Sequence, residues 1–214
     1  MCLKVSDLTF AYPHSEPLID GLELEIERGS SAAIMAPSGV GKTTLLTLLG
    51  GLRKPTHGEI RISQTGNTNN RFPRPDTGWI FQAMHLMPRR TCLDNVTIGA
   101  LARGLARPLA ESQAHQALDT FDLAEYAQRR LNTLSGGQSQ RVAVARVAVC
   151  DPHLVLADEP TANLDRANAD HVATVLVKGF PQAALVLATH DPTVAARADQ
   201  IYELRQGRLW PRHV

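Results

Sequence analysis

The stretch Ala36-Pro37-Ser38-Gly39-Val40-Gly41-Lys42-Thr43 decides the fold of this chain. It follows Ser31–Met35, a short run of small and apolar residues that is typical of a buried strand, and it leads into Thr43–Leu49, whose helical pattern ends at Gly50-Gly51. A glycine-containing loop between a buried strand and a helix lets backbone N–H groups point at an anion, and the helix start adds partial positive charge. The stretch therefore predicts a phosphate-binding loop.

Each position of this loop carries a residue suited to holding a nucleotide. Gly39 and Gly41 let the backbone approach phosphate oxygens, and Lys42 can reach the β- and γ-phosphates. The Thr43 hydroxyl is a ligand for Mg²⁺. The first position of the pattern G-x-x-x-x-G-K-[ST] holds Ala36 instead of glycine, and alanine tolerates fewer backbone conformations, so the geometry there is an open question. The positions expected to contact the nucleotide are Pro37, Ser38, Gly39, Val40, Gly41, Lys42, Thr43 and Thr44.

A second predicted strand delivers acids toward the same loop. The apolar run Leu154–Ala157 is followed directly by Asp158 and Glu159. Carboxyl ends of parallel strands meet at one edge of a sheet, so both carboxylates are expected beside the phosphate loop. We expect Asp158 to hold Mg²⁺ and Glu159 to polarise the attacking water. The alternatives are an ordinary glycine turn and an acid that merely ends a strand, and each is weakened because the two motifs occur together.

Strand-like and helix-like segments alternate over the rest of the chain. Further strands are predicted at Leu3–Phe10, Leu22–Ile26, Glu59–Ser63, Gly78–Gln82 and Ala184–Ala188, with a terminal hairpin over Gln200–Leu209 that turns at Gln206-Gly207. Further helices are predicted at Gly136–Val149, Asp165–Val177 and Asp191–Ala198, with a helical stretch over Leu93–Arg130 and a loop over Gln64–Asp76. This alternation predicts an α/β fold with a mixed, mainly parallel sheet covered on both faces and a helical insert.

Composition narrows the functional classes. Lys and Arg number 22 against 21 Asp and Glu, and this net charge of +1 lacks the basic balance of a nucleic-acid-binding chain, so no nucleic-acid partner is expected. No uninterrupted run of about 18 apolar residues is present, so no membrane-spanning segment is expected, and the start MCLKVSDLTF does not resemble a secretory signal. The three cysteines, Cys2, Cys92 and Cys150, lack metal-ligand spacing, which favours a reducing compartment.

Between the two nucleotide motifs lies Leu134-Ser135-Gly136-Gly137-Gln138, and with it the sequence resembles the ATP-binding-cassette family. The resemblance extends from Leu3 to about Leu209. It implies an ATPase with a P-loop NTPase fold, in which an antiparallel β subdomain joins the core. It further implies that residues 1–214 form one cassette domain, with a helical subdomain at about 83–150 inserted in the RecA-like α/β core.

The resemblance also implies roles for single residues. Tyr12 looks like the aromatic residue that stacks on adenine, although Phe10 is an alternative. Gln82 is similar to the glutamine that senses Mg²⁺ and the attacking water at the junction with the helical subdomain. His190, which follows Ala188-Thr189, resembles the switch histidine that contacts the γ-phosphate. Asp165 resembles the end of the loop that crosses to the partner subunit, and it can also cap the next helix.

A further implication of the resemblance is that one chain does not complete a site by itself. Ser135, Gly136, Gly137 and Gln138 would meet ATP held by a second ATPase subunit, so a head-to-tail pair, expected as a homodimer, would enclose two ATP molecules. Loss of the γ-phosphate would then loosen the pair. Because no membrane segment is predicted, a transporter would need separate permease subunits. The expected location is the cytoplasmic, inner face of the cell membrane.

Five stretches resemble the compact ATPases of lipoprotein-release and macrolide-efflux systems: Leu48–Leu52, Lys54–Glu59, Leu86-Met87-Pro88 with Asp94-Asn95-Val96, Gln138–Arg141, and Ala157–Asp165. The cell-division cassette ATPase is a near relative, and importer ATPases share many of the same residues. An importer subunit and a non-transport cassette therefore stay open as alternatives. Neither the transported substrate nor the direction of transport is encoded in this chain.

The segment Ala83–Asn95 after Gln82 is a candidate surface for a membrane subunit's cytoplasmic helix. Met84, Leu86 and Met87 offer adaptable apolar contact there, or they pack inside the helical subdomain.

Two other functional classes fit the sequence less well. A DNA-repair cassette would need long coiled coils that this sequence lacks, and a ribosome-acting one usually carries two cassettes. A scaffold without hydrolysis would not need both Glu159 and His190.

Overall fold

The structure is a computed structural model that describes residues 3–64, 67, 68 and 77–212. The strands are β1 Leu3–Ala11, β2 Pro17–Ile26, β3 Ser31–Met35, β4 His57–Gln64, β5 Asn67–Thr68, β6 Thr77–Phe81, β7 Leu154–Asp158, β8 Ala184–Thr189, β9 Gln200–Arg205 and β10 Arg208–Pro211. The helices are α1 Lys42–Leu49, α2 Cys92–Ala102, α3 Arg107–Thr120, α4 Gly136–Ala148, α5 Arg166–Lys178 and α6 Pro192–Ala195. Two short 3-10 helices lie at Ala124–Tyr126 and Leu131–Thr133.

The chain divides into two compact units. The first unit comprises Met1–Thr77, His153–Glu159 and Phe180–Val214. The second unit comprises Gly78–Pro152 and Pro160–Gly179. No helix in the described part of the chain is both long enough and apolar enough to cross a bilayer.

The first unit contains an antiparallel sheet and a largely parallel one. The antiparallel sheet has the order β2-β1-β4-β5, and β1 pairs with both β2 and β4. In the other sheet the strands of this unit follow the order β10-β9-β3-β8-β7, with β9, β3, β8 and β7 parallel. Every residue of β3 and β8 is buried, as expected for parallel strands covered on both faces. The predicted α/β fold with a mixed, mainly parallel sheet and an antiparallel β part is confirmed.

Strand register brings three chain segments to one edge of the parallel sheet. Met35 at the end of β3 pairs with Thr189 at the end of β8. Asp158 at the end of β7 pairs with Ala188 on the other side of β8. Because the three strands run in the same direction, the segments that follow them emerge together at this edge.

The second unit is mainly helical, and three of its four α-helices begin at a side-chain cap. Thr91 caps α2 in a reciprocal box with Asp94, and Ser135 caps α4 in the same way with Gln138. Asp165 caps α5. These caps satisfy backbone N–H groups that have no partner within a helix, so they mark where α2, α4 and α5 begin, whereas α3 starts without a side-chain cap.

Three sequence predictions need correction. The stretch 93–130 is not one helical run, because α2 ends at Ala102 before a turn at positive-φ Gly104 and only α3 and a 3-10 turn follow. Helix α6 covers only Pro192–Ala195 of the predicted 191–198. In the predicted loop over 64–76, β5 pairs with the end of β4, whereas residues 65, 66 and 69–76 lie outside the described residues.

Candidate active site

The loop between β3 and α1 has the backbone form that the sequence predicts. Gly39 and Gly41 adopt φ values of +82° and +112°, which side chains with a Cβ rarely tolerate. Gly41 is the N-cap of α1 and offers no side-chain cap, so the first N–H groups of the helix are left for another partner. A Cβ at Gly41 would also lie 3.2 Å from Leu18 Cγ. The local sequence thus builds a backbone cradle that fits phosphate oxygens.

Ala36 answers the question that the sequence left open. It is buried, and it is not among the described non-glycine residues with positive φ. Its backbone therefore lies in a region that alanine adopts without strain. Its carbonyl accepts a 2.6 Å hydrogen bond from Lys42 Nζ, so the residue contributes to the loop through its main chain.

Lys42 is a buried cation that is held by the loop and by one carboxylate. Its side chain is 7% exposed, and Nζ also donates to Pro37 O at 3.3 Å. Glu159 Oε1 lies 3.1 Å from Nζ. A buried ammonium needs such partners, because leaving it unpaired costs several kcal/mol. The sequence predicted both residues at this edge of the sheet but not their ion pair, which depends on strand register.

A hydroxyl and a carboxylate lie side by side beside the cradle. Thr43 Oγ1 donates a 2.8 Å hydrogen bond to Asp158 Oδ2. Mg²⁺ prefers oxygen ligands and takes few from the protein, because phosphates and water supply the others. Two protein oxygens at this spacing fit that donor set.

Glu159 is strained and is held on both carboxylate oxygens. Its φ is +46°, a conformation that costs a residue with a Cβ about 1–3 kcal/mol and that clusters at functional sites. Its N–H donates to Ala188 O at 2.9 Å, which fixes the turn after β7. Glu159 Oε2 lies 3.0 Å from His190 Nδ1, within hydrogen-bonding distance, and the His190 side chain is 61% exposed. The backbone thus aims one carboxylate at Lys42 and His190 together.

A cavity of about 590 Å³ opens over these groups. It is lined by the cradle residues Ser38, Gly39, Gly41, Lys42, Thr43 and Thr44, by Asp158 and Glu159, and by Tyr12, Ser15, Glu16, Pro17 and Leu18. The sequence reasoning missed Ser15–Leu18, the turn into β2, because nothing in that stretch marks a ligand. The volume lies within the range of small-molecule sites.

Tyr12, not Phe10, is the aromatic residue that lines this cavity. Tyr12 is 37% exposed, whereas Phe10 is buried and meets the Tyr12 ring edge-on at 5.0 Å between centroids. The Tyr12 hydroxyl lies 3.1 Å from Thr44 Oγ1, which ties the ring to α1. The guanidinium of Arg53 lies 5.2 Å from the ring centroid, a cation–π contact.

The second unit carries the remaining predicted residues. Ser135 Oγ accepts from Gln138 N at 3.2 Å, and Gln138 Oε1 accepts from Ser135 N at 2.9 Å. Ser135 and Gly136 are exposed, whereas Gly137 is buried. A Cβ on Gly137 would lie 2.8 Å from Asn168 Oδ1, so packing between α4 and α5 requires glycine there.

Asp165 and Gln82 lie in the same unit. Asp165 Oδ1 accepts from Asn168 N at 3.0 Å, and its Oδ2 accepts from the Asn168 side-chain amide at 2.6 Å. Hydrogen bonds from Asn168, backbone first, hold the pKa of Asp165 below its ordinary value. Gln82 follows β6 and is exposed. Tyr12, the cradle, Asp158, Glu159 and His190 belong to the first unit.

Comparison with known proteins identifies the family of this chain. The family profile "ABC transporter" matches residues 19–162. The lipoprotein-releasing system ATP-binding protein LolD of Chromohalobacter salexigens is 38% identical, with 97% of this chain and 92% of the relative covered. LolD of Legionella pneumophila is 40% identical over 91% of this chain and 89% of the relative.

Comparison with solved structures identifies the same family. The dimeric ATP-binding cassette MJ0796 in a post-hydrolysis state, bound to ADP and Pi, has a TM-score of 0.80 and 31% identity, covering 98% of this chain and 97% of that one. The protein cbiO1 from Clostridium perfringens, part of the ABC transporter complex cbiONQ, has a TM-score of 0.87 and 28% identity over 98% and 86% of the two chains. This chain belongs to the ABC transporter family and is an ABC-type ATPase subunit.

Proposed function

We propose that two copies of this chain enclose two ATP molecules, and that hydrolysis drives separate membrane subunits of a lipoprotein-release or efflux system from the cytoplasmic face of the membrane. The observation that supports the proposal is the Lys42–Glu159–His190 arrangement. Glu159 has a strained backbone, and its carboxylate contacts a buried cation and an exposed imidazole. A carboxylate aimed in this way beside a phosphate cradle suits the activation of a water molecule.

The ion pair suggests how Glu159 becomes available as a base. Lys42 Nζ lies 3.1 Å from Glu159 Oε1, so the ammonium occupies that oxygen. A nucleotide γ-phosphate would compete for Lys42 Nζ, because phosphate carries more charge than a carboxylate. Glu159 Oε1 would then be free to accept a proton from water, while His190 keeps Oε2 in place.

Thr43 and Asp158 are the residues that would hold Mg²⁺. The ion would neutralise charge on the β- and γ-phosphate oxygens when bound. Thr43 and Asp158 orient each other through their 2.8 Å hydrogen bond, so their oxygens are arranged before any ion arrives.

The exposure of Ser135 and Gly136 supports the proposal that they contact ATP bound to a second copy of the chain. The Ser135 hydroxyl accepts its cap bond from Gln138 N, which leaves its own hydrogen free to donate. The start of α4 adds N–H groups and partial positive charge. We propose that these groups, with Asp165 near the crossing loop, complete the partner's ATP site. We also propose that residues 83–150, within the second unit, act as the helical subdomain of a single cassette domain.

Relatives named lipoprotein-releasing ATP-binding proteins match nearly the whole chain, which favours that group over importers. The segment after Gln82 supports a membrane-subunit contact. Arg146 donates to Met84 O and His85 O, so the segment is held through its main chain. Met84, Leu86 and Met87 are half-buried, which leaves apolar surface for a partner helix.

The test is Glu159→Gln, with Glu27→Gln at an exposed position as the control. The amide cannot accept a proton as the carboxylate does, so we expect ATP binding to persist while steady-state hydrolysis falls at least about 100-fold. Light scattering with ATP and Mg²⁺ should report a dimer of the variant, because the bridging nucleotide is not consumed. Parental turnover in Glu159→Gln, or a monomer at saturating ATP, would contradict the proposal.

A further inference from the structure

Arg53 is an exposed cation beside the aromatic residue that lines the cavity of the first unit. Its guanidinium carbon lies over the Tyr12 ring, 5.2 Å from the ring centroid. The face of an aromatic ring attracts a cation that lies within about 6 Å of its centroid. Arg53 is separated from the phosphate loop by the whole of α1, so its contact with Tyr12 is a product of the fold.

The main chain fixes the position of Arg53 relative to α1. Leu52 N and Arg53 N both donate to Thr47 O, at 2.9 Å and 3.1 Å respectively. Gly51 turns the chain at a φ of +72°, a conformation that residues with a Cβ rarely adopt. The start of the same helix forms part of the phosphate cradle. The Arg53 side chain therefore leaves from a defined backbone position on the helix that also holds the cradle.

No carboxylate neutralises Arg53 within the residues that the structure describes. Its guanidinium has no Asp or Glu oxygen within 4.0 Å there. Arg208, another exposed arginine of the first unit, is paired instead, because its Nη2 lies 3.1 Å from Asp20 Oδ2. Since no ion pair draws the Arg53 guanidinium away, its charge is available to the Tyr12 ring.

Tyr12 is held at three places, and the cavity side of its ring is left open. The Phe10 ring meets its edge, Thr44 Oγ1 lies 3.1 Å from its hydroxyl oxygen, and Arg53 covers part of one face. Tyr12 lines the cavity, whereas Phe10 and Arg53 are not among the described residues that line it. The guanidinium thus contacts the ring from outside the cavity. A flat ligand group inside the cavity would meet the other face.

We propose that Arg53 is a positioning residue for the nucleotide base, and that it fixes the Tyr12 ring in the orientation that stacks on this base. This inference rests on the proposed function, because it takes ATP as the ligand of the cavity. An exposed aromatic side chain loses rotamer freedom when it stacks on a ligand, and that loss weakens binding. The cation–π contact orders the ring before the nucleotide arrives, so less freedom is left to lose.

The experiment is a double-mutant cycle on the full chain, with ADP as the probe because ADP carries the base and is not hydrolysed. The four proteins are the parent, Arg53→Met, Tyr12→Leu and the double variant, and calorimetric titration gives each dissociation constant. Methionine keeps a flexible side chain but removes the charge. Lys54→Met is the matched control, because Lys54 is an exposed cation at the next position. Thermal unfolding by circular dichroism confirms that each variant folds.

We expect Arg53→Met to weaken ADP binding about threefold, the scale of an exposed cation–π contact, and to have no effect in the Tyr12→Leu background. Arg53→Lys keeps a cation, so its affinity should lie within about 1.5-fold of the parent. Lys54→Met should lie within the same range. Steady-state kinetics of Arg53→Met should show a KM for ATP about threefold higher with an unchanged kcat, because binding is weakened and the chemical step is not.

Three results would overturn the proposal. An equal loss of ADP affinity in the parental and Tyr12→Leu backgrounds would mean that Arg53 attracts the phosphates directly. No loss in Arg53→Met would mean that the ring needs no cation. A lower kcat at an unchanged KM would assign Arg53 to a step after binding.

ATP hydrolysis and ATP-dependent dimerisation of the parent separate this proposal from the proposed function. A parent that binds ADP but neither hydrolyses ATP nor dimerises would contradict the proposed function, while the ADP cycle would still decide the role of Arg53. A parent that hydrolyses ATP but shows no coupling between Arg53 and Tyr12 would contradict the positioning role alone.

Discussion

In the phosphate cradle of the first unit the charged groups are paired with one another. The signature Leu134–Gln138 of the second unit instead carries no charge and is partly exposed. The charges of Lys42 and Glu159 are largely buried and neutralise each other, and Asp158 is bound to Thr43. The signature bears no charge; its Ser135 and Gln138 cap α4, and Ser135 remains exposed. The charged groups of the cradle are therefore paired within one unit, whereas the signature is folded and still has an exposed hydroxyl.

The largest expected effect comes from breaking the internal neutralisation of the cradle. In Lys42→Ala, ATP loses its buried cation, so we expect hydrolysis to fall at least about 100-fold and ATP affinity to drop. Glu159 also loses its partner, which should lower the free energy of unfolding by about 1–3 kcal/mol. Nucleotide titration and urea unfolding measure the two effects. Lys54→Ala, at an exposed position, is the control and should change neither.

The second-largest expected effect tests whether the packing of the signature requires glycine at Gly137. A Cβ on Gly137 would lie 2.8 Å from Asn168 Oδ1, and Asn168 is itself held by Asp165, so the clash displaces a hydrogen-bonded pair. We expect Gly137→Ala to cost about 1–3 kcal/mol and to reduce ATP-dependent dimerisation.

The matched variant is Gly136→Ala. Its Cβ would lie 3.2 Å from Leu164 Cδ2, a contact that a leucine side chain relieves by a small shift. Helix propensity favours alanine by up to about 1 kcal/mol, so stability should change little. Equal destabilisation by the two substitutions, measured by urea unfolding, would show that packing against Asn168 does not shape the signature.

A smaller effect is expected at the cavity rim. Tyr12→Ala removes the ring that lines the cavity, and aromatic–base stacking is worth about 1–3 kcal/mol, so ATP affinity should fall about tenfold. Tyr12→Phe keeps the ring and loses only the hydroxyl contact with Thr44, so its affinity should stay within about twofold of the parent. Calorimetric titration with ATP measures both. Equal losses in the two variants would assign the effect to the hydroxyl instead of the ring.

Local patterns predicted most of the first unit, because its elements are short and sharply bounded. The Ser31–Met35 strand, the glycine loop and the turn at Gln206-Gly207 each depend on a few adjacent residues, and the structure has them at those positions. The Lys42–Glu159 ion pair could not be predicted from adjacent residues. It requires the register of β3, β8 and β7, which is set by long-range pairing.

The second unit was less predictable for a different reason. The alanine- and leucine-rich composition of 93–130 favours helix throughout, so it does not reveal the turn at Gly104 or the 3-10 segment at Ala124–Tyr126. The bridge between Thr91 and Arg130 also depends on hydrogen bonds between segments that are distant in sequence, such as Leu131 N to Arg90 O. The roles assigned to Gln82, His190 and the signature residues stay predictions, and Gly137→Ala tests the signature.

The smallest effect concerns pH and the cap that supports the signature. Hydrogen bonds from Asn168 lower the pKa of Asp165 in the folded chain, so the folded state favours the ionised carboxylate. The resulting stability is present at pH values above the pKa of the unfolded state and is lost as the pH falls through the lower, folded pKa. The difference in unfolding free energy between the parent and Asp165→Ala should therefore be largest near neutral pH and should shrink in acid.

Asp165→Asn separates charge from capping at this position. Asparagine is as good an N-cap as aspartate but does not titrate in this range, so it should retain most of the parental stability at neutral pH and remove the acid dependence. Urea unfolding of the three proteins between neutral and acidic pH makes the comparison. A constant difference between the parent and Asp165→Ala at every pH would mean that the carboxylate charge adds nothing to the cap, and that the second unit is held together by neutral hydrogen bonds alone at this helix start.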